Sequence, residues 1–147
     1  VTQGKQHYEN HTSIDHVAAH CNSEETYRNI AADQSHAVFN GRIHIHQDAQ
    51  KSNADMNNKN LLLSNGAEID TKPELEIYAD DVKCSHGSTS GSIDENSIHY
   101  LMTRGLTKKE AIQLLINGFL NEIISEIKSS TIRKFVENKI ELQIHGY

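Results

Sequence analysis

The sequence predicts a mainly β chain that closes with a segment of about three helices. Apolar residues alternate with period two up to about Gly91, and the period turns helical from Ser92 onward. Two Ser/Thr-x-x-Glu phrases follow that change, each the signature of a helix start. At 147 residues the chain is long enough to bury a core of its own.

The β half is read from short alternating runs. In HAVFNGRIHIHQ, Phe39, Gly41, Ile43 and Ile45 share one strand face, while Asn40, Arg42, His44 and His46 share the other. Asn60 to Ser64 and Ala67 to Thr71 are further short candidates, with the turn signal Asn65-Gly66 between them. After the single proline, Pro73, the run PELEIYAD puts Leu75, Ile77 and Ala79 on one side and Glu74, Glu76 and Tyr78 on the other. Many short strands with polar turns are compatible with a sandwich, a barrel or a solenoid, and no strict repeat chooses among them.

The helical half begins with Ser92-Ile-Asp-Glu95, read as a capping box for a short helix through Tyr100 and Leu101 that stops near Gly105. Thr107-Lys-Lys-Glu110 opens the longest helix, expected to run to about Lys128. A third helix is expected from around Ser130, with Ile132, Phe135, Val136 and Ile140 on one stripe. Residues 1–91 and 92–147 are thus expected to form two parts.

Composition excludes several classes. Twenty acidic residues against 14 basic ones give a formal charge of −6, and the lysines do not cluster apart from Lys108 and Lys109 at a helix start, which argues against a nucleic-acid partner. Only 5% of residues are aromatic and tryptophan is absent, so bases and sugars find few stacking platforms. Cys21 and Cys84 do not make a disulfide framework, and a reducing compartment is expected. No apolar run approaches the roughly 20 residues that cross a bilayer. The chain opens on Val1 without an initiator methionine or a basic-then-apolar leader, and is expected to be the C-terminal fragment of a longer protein. A Walker-type phosphate loop and a nucleophile elbow are both missing, and Asp80 and Asp81 fall on opposite strand faces. An enzyme is not expected.

The segment DTKPELEIYADDVKCSHGSTSG, from Asp70 to Gly91, is the most informative. Val82, Cys84 and His86 share a face if it is extended, so a thiol and an imidazole stand roughly 7 Å apart as half of a site for a soft transition metal. The plain alternative is a buried cysteine beside a hydrogen-bonded histidine, because a lone C-x-H is a weak motif and a metal needs about four ligands. The remaining histidines are weaker. His16 and His20 suit a zinc site only on a helix, and their surroundings look β-like. His44 and His46 could chelate, but any solvated sheet face yields that pattern, and His7 and His11 lie in a polar stretch. All are assigned structural or surface roles. In the long helix the apolar residues, from Ala111 through Leu115, Ile116, Phe119 and Leu120 to Ile127, cover more than the about 100° that one packing partner requires. Such a helix is either sandwiched in its own domain or a partner surface.

The phrases NLLLS, AEIDTKPELEIYADDVKCSHGST and IHYLMTRGLTKKEAIQLLINGF resemble the C-terminal part of the SufB/SufD family of iron–sulfur cluster assembly scaffolds. VKCSHGST is similar to the SufD-type signature, where a SufB-type chain carries a glutamate-bearing sequence; Asn117-Gly-Phe119 is nearer the SufB wording. The resemblance implies a right-handed parallel β-helix followed by helices, in a non-catalytic, cytoplasmic or plastid-stromal scaffold. It implies partnership with a SufB-like chain and a SufC-like ATPase, the ATPase docking on the helices through residues such as Leu115, Ile116, Phe119 and Leu120. A transient iron–sulfur cluster would form at the SufB interface with His86 and Cys84 taking part, His86 the better supported and Cys84 structural in the plainer reading. No tightly bound cofactor is implied for this fragment, and a homodimer through sheet edges or helices is expected. The alternatives are a SufB-like subunit and a free-standing histidine-rich zinc-binding β-solenoid.

Overall fold

The structure, a computed structural model, describes residues 1–144. It holds six strands of ten residues each, β1 (His7–His16), β2 (Asn22–Ala31), β3 (His36–Ile45), β4 (Asn53–Leu62), β5 (Glu68–Ile77) and β6 (Lys83–Ser92). Three helices follow, α1 (Glu95–Thr103), α2 (Lys108–Ile124) and α3 (Ser130–Ile144). By its internal contacts the chain divides into a β unit, Thr2–Gly91, and a helical unit from Ser92 onward.

In the β unit the odd strands form one sheet, ordered β1-β3-β5, and the even strands a second, ordered β2-β4-β6. The chain therefore crosses from one sheet to the other at each step, and each strand pairs in parallel with the strand two places later. His7 faces His36, Asn22 faces Asn53, and His36 faces Glu68. This is a β-helix-like fragment, the member of the sandwich, barrel and solenoid set that strand alternation left undecided.

Alternation assigns the core. On β3 every second residue, Ala37, Phe39, Gly41, Ile43 and Ile45, is buried, as the pattern of that run predicts. Phe39, Ile43 and Ile45 join Ala49, Ala54, Met56 and Ala79 in one cluster, with Tyr27 against the Phe39 ring. A Cβ on Gly41 would lie 2.7 Å from Phe39 and 2.8 Å from the Met56 sulfur, so the core is packed into that gap.

Two short runs expected separately, Ala67 to Thr71 and the one after Pro73, are a single strand. Pro73 is accommodated because β5 is an edge strand, where one ladder side has no strand to receive an N–H. Asn65-Gly66 turns the chain, but between sheets rather than in a hairpin. The corner stacks on the one below it, Ser64 Oγ donating to the Asp33 carbonyl at 2.7 Å, and a Cβ on Gly66 would meet that same carbonyl at 2.7 Å.

The helical unit corrects two boundaries. Ser92 ends β6 and caps nothing; the N-cap of α1 is Asp94, whose carboxylate accepts from the Asn96 and Ser97 amides at 3.3 and 2.9 Å. A charged acceptor closer to the first turn wins over a hydroxyl still in a strand. The second capping box forms as read: Glu110 accepts from the Thr107 amide at 2.7 Å, and these bonds hold its carboxyl below the usual range. Helix α2 stops at Ile124, short of Lys128, and Arg133 takes up the carbonyls beyond, donating to Ser125 at 3.2 Å and Ile127 at 2.6 Å.

Because a backbone carbonyl rather than a flexible side chain blocks the space at Gly66, Gly66→Ala should destabilise the β unit by about 1–3 kcal/mol. Urea denaturation followed by circular dichroism checks this; an unchanged midpoint would mean that the corner shifts freely.

Candidate functional site

Strand β6 is the edge of its sheet, hydrogen-bonded to β4. Its register is fixed by side chains and backbone together: Ser85 bonds Asp55, Ser88 Oγ donates to Asn58 at 3.1 Å, and Asn60 Nδ2 donates to Ser90 at 3.2 Å. Cys84 consequently lies beside Ala54 and His86 beside Met56, on the face that β4 turns to the core. Ser85 points the other way, to the exposed Asp55.

The two predicted site residues differ in environment. Cys84 is half-buried and packs, with Val82, against the core cluster. Burial pushes its thiol up from the ordinary value of 9.0, and a hydrogen bond with the Ala54 backbone offsets part of that. It is therefore a neutral thiol at physiological pH. His86 is exposed.

The exposure has a structural cause. Inward residues of β3 have a strand on both sides, whereas β5 and β6 have one on one side only. Leu75 is accordingly half-buried and Ile77 is 42% exposed. The last coil thus presents Leu75, Ile77, Val82, Cys84 and His86 along an incompletely covered apolar edge. Beside it runs an open groove of about 780 Å³ lined by Ser23, Ala54, Asp55, Val82, Cys84 and Ser85.

A polar ladder that sequence reasoning missed anchors β6 beyond His86. Asn58 and Asn60 are buried, joined at 2.6 Å, and Asn60 reaches Asn29 at 3.0 Å on one side and the Thr89 carbonyl at 3.1 Å on the other. The signal was present as the repeated asparagines of MNNKN, but burial in parallel register became visible only once the strands were paired.

The other predicted positions scatter. His16 is buried and bonded to Ser23 at 2.8 Å, while His20 occupies a left-handed corner at φ 64°, so the HVAAH pair forms no site. Of the helical residues expected at a partner surface, Ile116 and Leu120 are buried, in step with Ala111 and Ile124, and Leu115 and Phe119 are half-buried. Spacing near four residues gathers the buried set on one narrow stripe. Among the described residues, the exposed large hydrophobic positions of the helical unit are instead Tyr100, Met102, Leu114, Ile132, Phe135 and Leu142. Among the described residues no helix is long and apolar enough to cross a membrane.

Residues 1–119 match the family model described as "SUF system FeS cluster assembly, SufBD core domain". The iron-sulfur cluster assembly protein SufD of Escherichia coli is 42% identical over 92% of this chain and 32% of its own length. An iron-sulfur cluster assembly SufBD family protein of Synechocystis is 38% identical over 90% of the chain and 29% of its own. Protein ABCI7, chloroplastic, of Arabidopsis thaliana is 35% identical over 76% and 24%. The chain spans about a third or less of the length of these relatives.

The raised Cys84 pKa has a chemical readout. In a Cys21→Ser background, iodoacetamide should label Cys84 slowly at pH 7.5, the rate rising with a midpoint above 9.0. A midpoint at or below that value would mean that the thiol is not held against the core.

Proposed function

The chain belongs to the SufB/SufD family of iron–sulfur cluster assembly proteins and is SufD-like, and on that premise we propose that it is the closing part of a scaffold subunit. It pairs with a SufB-type chain, docks a SufC-type ATPase through its helical unit, and helps assemble clusters for transfer to apoproteins. The observation that carries this reading is the open last coil, where His86 is exposed on the same face as the core-packed Cys84. Unpaired strand edges are templates for another chain, and the apolar residues along this one favour a partner over solvent.

The chemistry follows from the donors. A cluster is the cargo of the assembly, and its irons take about four ligands each, so two residues from one strand need the rest from sulfide and the facing chain. The His86 imidazole is in reach of solvent, whereas Cys84 must lose its proton to bind a metal, which burial opposes. His86 is the ligand in this assignment and Cys84 chiefly fills the edge of the core. The sequence offers no phosphate loop of its own, so ATP hydrolysis falls to the partner, and nucleotide-driven movement there would bias the scaffold between two arrangements of the shared site. For the ATPase, Leu114 and Phe135 are the accessible contacts, with Leu115 and Phe119 partly so; Ile116 and Leu120 act by shaping α2. The compartment is the cytoplasm or a plastid stroma, and a second copy is the alternative occupant of the open edge.

Co-expression with SufB- and SufC-type proteins tests the assignment. His86→Ala should keep the complex together while cluster absorbance and bound iron fall several-fold, and Ser85→Ala should change neither. Leu114→Asp should release the ATPase, since burying an unpaired carboxylate costs several kcal/mol. Normal cluster content with His86→Ala would make His86 a structural histidine; retained ATPase with folded Leu114→Asp would move the docking surface elsewhere.

A further inference from the structure

The opposite face of the odd-numbered sheet carries a second group of metal-ligating side chains, remote in chemistry from the open edge. Strand pairing sets Asp15 of β1 directly beside His44 of β3. His46 lies two residues further on the same outward face, its amide continuing the ladder through the His16 carbonyl at 3.0 Å. One carboxylate oxygen of Asp15 is 3.2 Å from His44 Nδ1 and 3.7 Å from His46 Nε2, and the three ligand atoms all lie within 4.8 Å of one another. We propose that Asp15, His44 and His46 form a surface binding site for a divalent late first-row transition metal ion such as Zn²⁺ or Co²⁺.

The distances carry the assignment. Ligands held about 2.0–2.2 Å from a tetrahedral ion are separated by roughly 3.3–3.6 Å, so Asp15, 3.2 Å from His44 and 3.7 Å from His46, is within a few tenths of an ångström of chelating distance from both imidazoles. Residues two apart on a strand project in the same direction, and the His44 and His46 rings are stacked with centroids 4.2 Å apart, so their ligand atoms are close and the rings must tilt toward each other to share one ion. A set of two imidazoles and one carboxylate with open positions suits such metals rather than Ca²⁺ or Mg²⁺, which prefer oxygen.

Charge around the group favours a cation. His44 Nδ1 lies 3.2 Å from the Asp15 carboxylate and 3.3 Å from an Arg42 guanidinium nitrogen, so a metal ion would take its lone pair in place of the Arg42 N–H. Arg42 does not take up that carboxylate by a hydrogen bond of its own: its fork is engaged by Glu76 at 3.0 and 2.6 Å, which neutralises it and holds Glu76 below the usual carboxyl range. His44 is mostly covered, its side chain 19% exposed, while Asp15 and His46 are each 46% exposed, leaving the open coordination positions toward solvent. The Tyr78 ring lies edge-on to His44 at 5.3 Å and limits its rotation.

The test is Co²⁺ titration of the purified, tag-free protein at pH 7.5, read by visible d–d absorption, with Zn²⁺ as competitor. One equivalent should bind, Zn²⁺ should displace it, and His46→Ala and Asp15→Asn should each weaken binding at least ten-fold. His7→Ala, which alters the separate His7–His36 contact, should leave it unchanged. Circular dichroism confirms that the variants fold; both altered positions are half-exposed, and His46→Gln is the second variant at that site. Absence of Co²⁺ binding, wild-type affinity in a folded His46 or Asp15 variant, or loss on His7→Ala would each overturn the proposal. Because the readout is metal affinity and not cluster assembly, it stands or fails independently of the scaffold role.

Discussion

Each strand of the β unit pairs in parallel with the strand two places later, so about 30 residues must pass through a corner, the other sheet and a second corner before the chain meets its neighbour. Parallel strands cannot be joined by tight hairpins, and the corners therefore stack as the strands do. Ser64 and Gly66 fit against Asp33 for this reason, and left-handed residues recur at His20, Asp33 and Lys51. A solenoid built this way has no intrinsic end. Whichever coil comes last leaves two ladders without a neighbour, and β5 and β6 are those ladders here.

That condition sets the contrast between Cys84 and His86. Both occupy inward positions of the same strand, yet Cys84 still lies over the closed part of the core, next to Ala54, while His86 lies where cover runs out. Beyond His86 the interior changes from apolar to amide and hydroxyl, with Asn58, Asn60, Ser88 and Ser90 bonded across the strands. The Asn29–Asn60 pair stacks in register much as Asn ladders do in cross-β stacks, while Asn58 Oδ1 accepts from Asn60 and Ser88 and its Nδ2 is buried without a partner. An edge strand held by side-chain bonds as well as by its backbone is a firm base on which to present one exposed imidazole.

The legible part of the fold was whatever periodicity determines. Phe39, Ile43 and Ile45 were readable as core because alternation alone places them on one face, and Thr107 with Glu110 was readable because a capping box is local. Strand pairing was not legible, since it depends on contacts about 30 residues away; the split of one strand into two at Pro73 came from treating proline as a boundary when β5 is an edge. Ser92 was misassigned as a cap because sequence order does not show where a ladder ends. At the site, the shared face of Cys84 and His86 followed from spacing, but their different burial depends on how far the core cluster reaches along β6, which spacing does not give. Ile116 and Leu120 could not be told from Leu114 by periodicity, because the whole apolar width of α2 reads alike until the neighbours that cover one stripe of it are known.

The same register that hides one set of side chains assembles the other. Inward, it brings Met56 beside His86; outward, it brings Asp15 beside His44, although 29 residues separate the partners of that ladder in sequence. A His-x-His pair on any exposed strand is common and weakly informative, because two imidazoles without a third donor hold an ion poorly. What changes its meaning is a carboxylate delivered by an adjacent parallel strand at a fixed level, beside an arginine whose charge is paired with Glu76. In a solenoid the two faces of a sheet are separated by the backbone itself, so chemistry on the outer face can alter without disturbing the inner edge. The outer group and His86 are therefore separable by substitution, which is why a metal on one and a nascent cluster near the other are distinct questions in a single small unit.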